Sequence, residues 1–87
     1  MQSNQLKSLL EAAFPDARIE VASPDDVHFQ AIVVSDAFAG KATLARHRMV
    51  YAVLGERMGG EVHALSLRTL TPGEAGPGNR NPEPGQA

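Results

Sequence analysis

The stretch Phe38-Ala-Gly-Lys-Ala-Thr-Leu-Ala-Arg-His-Arg-Met-Val-Tyr-Ala-Val-Leu54 decides how the rest of the chain is arranged. It opens with a glycine turn at Gly40, which favours a left-handed or tight backbone. It continues as a helix from about Ala42 to Met58. Val50, Val53, Leu54 and Met58 share one side of that helix, as in an element buried along one stripe. His47 falls on the same side, and Arg46 and Arg48 flank it. Gly59-Gly60 ends the helix, because glycine tolerates the left-handed cap conformation. A helix between two strands of one sheet is a crossover, and right-handed crossovers leave those strands parallel.

The strands lie on either side. His28-Phe-Gln-Ala-Ile-Val-Val34 is apolar on both faces, with Phe29, Ala31 and Val33 opposite Ile32 and Val34, which suits a central strand. Before it, Ala17-Arg-Ile-Glu-Val-Ala22 alternates inward Ile19 and Val21 with outward Arg18 and Glu20. Ser23-Pro-Asp-Asp26 carries turn chemistry and makes these two strands an antiparallel hairpin. After the helix, Val62-His-Ala-Leu-Ser-Leu-Arg-Thr-Leu70 alternates again as a third strand. At the start of the chain, Leu6, Leu9, Leu10, Ala13 and Phe14 follow helical spacing. Ser3 is the expected N-cap and Pro15 the stop, giving a helix over 3–14. The order α-β-β-α-β predicts an α+β fold: a three-stranded mixed sheet with both helices on one face, a KH-like unit of the second (type II) topology.

Residues 1–71 form the expected single domain. Residues 72–87 hold four prolines, four glycines and no apolar residue larger than alanine. Such a segment buries too little surface to offset its ordering entropy, so a disordered tail is expected.

Bulk composition narrows the function. The chain has 87 residues, 43% of them hydrophobic and 21% charged, a balance suited to a soluble domain. No apolar run reaches the ~20 residues of a membrane span. Met1-Gln-Ser-Asn-Gln5 lacks the features of a signal peptide, so a cytoplasmic location is expected. With no cysteine, the chain has no disulfide, thiol nucleophile or thiolate ligand of its own. Net charge is −2 and the pI about 5.8, unlike the strongly basic footprint of bulk nucleic-acid binding. Enzyme chemistry finds no support: no nucleophile sits beside a placed base, and Asp25-Asp26 reads as loop chemistry.

The pieces Val34-Ser-Asp-Ala-Phe-Ala-Gly40, Arg46-His-Arg-Met-Val50, Val62-His-Ala-Leu65 and Thr71-Pro72, in that order and spacing, resemble the BolA family. The resemblance covers about residues 3–72. It implies a KH-like fold and a monothiol glutaredoxin as partner, the pair holding a [2Fe–2S] cluster. Glutaredoxin and glutathione would supply thiolates and the BolA-like chain histidine. The histidine opening the last strand matches His63. A second ligand commonly comes from the loop between the first two strands. Here Ala22-Ser-Pro-Asp-Asp-Val27 holds neither His nor Cys, and only His28 is near. The chain also departs at its end: Thr71-Pro-Gly-Glu-Ala75 stands where many members read T-P-x-x-W. The family is further associated with stress response and DNA-binding transcriptional regulation through the glycine turn and the R-H-R helix.

Each candidate also has a plainer reading. His63 taken alone is an ordinary strand histidine; the resemblance makes it the first choice of metal ligand. His28 is either the second, weaker ligand or a loop histidine bonded to a neighbouring carboxylate. His47 reads as a core or boundary residue. Lys41, Arg46, Arg48 and Arg57 are phosphate-contact candidates for the DNA-binding alternative, against a solvated helix flank. Arg46 and Arg48, two apart, point to different sides of the helix and make no clamp together. The expected free state is a monomer or weak dimer, with no membrane association.

Overall fold

A computed structural model describes residues 1–57 and 64–76. Helix α1 spans Ser3–Ala13, strand β1 Arg18–Ala22 and strand β2 His28–Val34. A 3-10 turn at Asp36–Phe38 leads to helix α2, Thr43–Leu54, which is followed by another 3-10 turn at Gly55–Arg57. Strand β3 covers Ala64–Leu70 and a short helix α3 covers Pro72–Ala75. The sheet order is β1-β2-β3. The β1–β2 pair is antiparallel, with Ile19 opposite Val33, and the β2–β3 pair is parallel, with His28 opposite Ala64 and Val34 opposite Leu70. The mixed α+β sheet expected from the crossover is therefore present.

One sheet face carries the core. Ile19, Phe29, Ala31 and Val33 are buried with Leu6, Leu10, Phe14, Phe38, Val50 and Leu54 in one cluster. Phe14 and Phe38 pack tilted, with ring centroids 5.6 Å apart. The opposite face is open, and Glu20, Gln30, Ser66 and Arg68 line a broad groove across it.

The element ends differ from expectation in physically legible ways. Helix α1 is capped at Gln2, not Ser3: the Gln5 side chain reaches back to the Gln2 N–H at 2.7 Å. The first-turn N–H groups of Gln5 and Leu6 bond the Gln2 carbonyl, at 3.0 and 3.1 Å. Helix α2 ends at Leu54, because Gly55 takes φ 53° and its N–H bonds the Tyr51 carbonyl. Met58, the expected Gly59-Gly60 cap, Val62 and His63 lie outside the described residues. Gly40 has φ 75°, as its turn requires.

The stripe on α2 is shifted from the expected one. Arg46, Val50 and Leu54, at i, i+4 and i+8, are its buried residues. His47 is half-buried and meets Tyr51 edge-on, ring centroids 6.4 Å apart. A cationic residue occupies the first core position of the helix, which a hydrophobicity pattern assigns to the flank.

The expected tail at 72–87 is also corrected at its start. Thr71-Pro-Gly-Glu74 closes a capping box: Thr71 Oγ1 accepts the Glu74 N–H at 3.2 Å, and Glu74 Oε1 accepts the Thr71 N–H at 2.9 Å. Proline at the first helical position supplies a preset φ and lacks only a donor that would be unpaired there. Local hydrogen bonding thus orders a segment whose composition offers little to bury.

Candidate functional site: a carboxylate-braced histidine at the open end of the sheet

The loop from Ser23 to His28 folds on its own polar side chains. Ser23 Oγ accepts the Asp26 N–H at 2.9 Å and donates to the His28 carbonyl. Asp25 Oδ1 accepts the N–H groups of Val27 at 3.0 Å and His28 at 2.8 Å. Asp26 takes φ 60°, a left-handed geometry that Asp visits more readily than most residues. Four side-chain-to-backbone bonds therefore deliver the chain to the first residue of β2.

That residue presents its ring to solvent. The His28 side chain is 64% exposed, and its Nδ1 lies 2.7 Å from Asp25 Oδ2. The backbone N–H of His28, its ring and the Val27 N–H together hold the Asp25 carboxyl well below the usual carboxylate range. Both readings anticipated for His28 are thus compatible in one residue: it is bonded to a carboxylate through one nitrogen, and among the described residues Nε2 has no partner. Its neighbour across the parallel ladder is Ala64, exposed and small. His63, the first-choice ligand, immediately precedes Ala64 in sequence and lies outside the described residues.

Among the described residues no group of three or more His, Cys, Asp or Glu side chains is placed to hold a metal ion. The donor set fits a cluster only as a contributor of imidazole to a site completed by another molecule. The described donors do not by themselves form a self-contained metal centre.

The basic residues do not come together. Arg46 is 9% exposed. Its Nε donates to the Lys41 carbonyl at 2.8 Å and its Nη1 to the Thr69 carbonyl at 3.2 Å. Nη1 and Nη2 hold both oxygens of Glu74, at 2.6 and 3.0 Å. This bidentate pair is the strong form of arginine–carboxylate contact. It lowers the Glu74 carboxyl to about 2, with the Thr71 N–H adding to the effect, and raises the Arg46 guanidinium. Arg46 is a structural clamp joining the start of α2, the end of β3 and α3, and as a phosphate-contact candidate it is corrected. Lys41, Arg48 and Arg57 are exposed. Lys41 precedes α2 and Arg57 follows it, so at ~1.5 Å per residue roughly 18 Å of helix separates them. Arg57 instead lines a shallow surface hollow together with Gln5, Ser8 and Leu9 of α1.

A family model described as BolA-like protein matches residues 10–74. The chain belongs to the BolA-like family. The DNA-binding transcriptional regulator BolA of Escherichia coli (strain K12) is 42% identical over 62 residues, 71% of this chain and 59% of that protein. BolA-like protein 1 of Homo sapiens is 47% identical over 49 residues, 56% of this chain and 36% of the human protein. This chain therefore spans under two thirds of the length of either relative. Among solved structures, a BolA homologue from Coxiella burnetii has TM-score 0.74 at 39% identity, covering 85% of this chain and 95% of that one. The BolA-like match runs through Glu74, so the arginine clamp lies wholly inside the family's extent.

Proposed function

We propose that this BolA-like chain is an adaptor that pairs with a monothiol glutaredoxin and contributes histidine to a shared [2Fe–2S] cluster. The observation that carries the reading is the braced, solvent-facing imidazole of His28 at the sheet end where Ala64, the residue after His63 in sequence, opens β3, in a chain with no cysteine. The cluster would supply one-electron and iron-transfer chemistry, with imidazole on iron raising its potential relative to thiolate. The chain's own work is to bring neutral imidazole to the shared site and keep its backbone frame fixed. Because the ring must be deprotonated at the ligating nitrogen, binding weakens in acid, which suits transfer or sensing.

Mixing the chain with cluster-loaded monothiol glutaredoxin and recording visible circular dichroism tests this. A spectrum unlike the sum of its parts, altered by His63→Ala and His28→Ala, is expected. Additive spectra, unaffected by either substitution, sink the proposal.

A second reading, DNA-binding regulation, has in its favour the similarity to the DNA-binding transcriptional regulator BolA of Escherichia coli. Against it stand the pI of about 5.8 and the internal use of Arg46. Mobility-shift assays at physiological salt decide: binding weakened by Lys41→Ala and Arg48→Ala favours it, and no binding removes it.

A further inference from the structure

We infer that Asp25 is a positioning residue that fixes the His28 tautomer with its proton on Nδ1 and its lone pair on Nε2, presenting Nε2 to the partner's metal. This deepens the shared-cluster reading and rests on it.

The geometry carries the inference. In a neutral imidazole one nitrogen donates and the other accepts, and the bond made by one sets the role of the other. Asp25 Oδ2, 2.7 Å from Nδ1, can only accept, so Nδ1 carries the proton. Nε2 is then the acceptor, and no described group occupies it. The carboxylate cannot swing away easily, because Oδ1 is tied to the N–H groups of Val27 and of His28 itself. Ser23 braces the same turn through the Asp26 N–H and the His28 carbonyl. Across the ladder Ala64 offers only a methyl group, leaving the ring 64% exposed and open to an incoming partner. A carboxylate on the far nitrogen of a metal-binding histidine is the general arrangement that orients such ligands, and its loss commonly weakens metal affinity 10–100-fold.

Asp25→Asn separates this role from a merely structural one. The asparagine carbonyl still accepts the Val27 and His28 N–H groups, so the turn survives. Its NH2 then faces Nδ1, which must accept, and the proton moves to Nε2. Nitrogen-15 NMR of the full metal-free chain, at a pH where the ring is neutral, should show Nδ1 protonated in the wild type and Nε2 protonated in Asp25→Asn. Titration with [2Fe–2S]-loaded monothiol glutaredoxin, followed by visible circular dichroism, should show 10–100-fold weaker association for Asp25→Asn. A wild-type ring protonated on Nε2 overturns the inference. So does an Asp25→Asn variant that associates like the wild type. If His63→Ala changes the cluster spectrum while His28→Ala and Asp25→Asn do not, the inference falls and the shared-cluster reading stands. If all of these variants and the wild type give additive spectra, that reading falls and takes the inference with it.

Discussion

Arg46 shows how one residue can carry chemistry different from what its neighbourhood suggests. In sequence it belongs to a basic triplet; in space it ties three elements and leaves no face for a phosphate. Removing it strands the Glu74 carboxylate and two carbonyls, so Arg46→Ala should lower the melting temperature well beyond Arg48→Ala. Equal melting temperatures would contradict the clamp. The pair also sets an acid dependence. The Glu74 carboxyl falls from an ordinary 4.5 to about 2 in the folded chain, so its contribution is present above 4.5 and is lost as pH falls toward 2. Asp25 acts in the same direction. Glu74→Gln should flatten the stability profile across that window, which thermal unfolding at stepped pH would measure. An unchanged slope would remove Glu74 from the account.

At the scale of elements, what was legible followed apolar periodicity and what was not followed polar bonding. The alternation in β2 and the leucine face of α1 gave their positions and buried sides, because hydrophobic period reports burial directly. Leu10 is fully buried in the cluster between helix and sheet, so Leu10→Ala should cost about 2–5 kcal/mol, checked by denaturant unfolding. Gly40 lies in the left-handed region with open space around its missing side chain, so Gly40→Ala meets backbone strain rather than a clash. Roughly 1–2 kcal/mol of destabilisation is expected there. The shifted face of α2 and the clamp were not readable from hydrophobicity, since they depend on a buried guanidinium meeting a carboxylate 28 positions away. The signal for α3 was nonetheless present: a threonine followed three residues later by glutamate, with proline at the first helical position, is a capping box. The same distinction applies to the candidate site. The proximity of Asp25 and His28 was visible in the sequence, but the division of the carboxylate between two amides and a ring was not.

For the whole molecule, the topology separates two ends of one sheet. At one end Val34 and Leu70 lead into the Ser35 amide, which bonds the Leu70 carbonyl at 2.9 Å, and into the Arg46 clamp. At the other end His28 and Ala64 open the parallel pair, with His28 exposed. One end fixes the frame and the other faces outward; the proposed adaptor role needs the outward end to lend a side chain to another protein's site. Hyperfine spectroscopy can ask directly whether it does so. The chain is labelled with nitrogen-15 histidine, combined with unlabelled cluster-loaded glutaredoxin, reduced, and examined by pulsed electron paramagnetic resonance. A shared cluster with histidine ligation should show nitrogen-15 coupling, diminished in His63→Ala and in His28→Ala. A cluster bound in the complex with no nitrogen-15 coupling would contradict it.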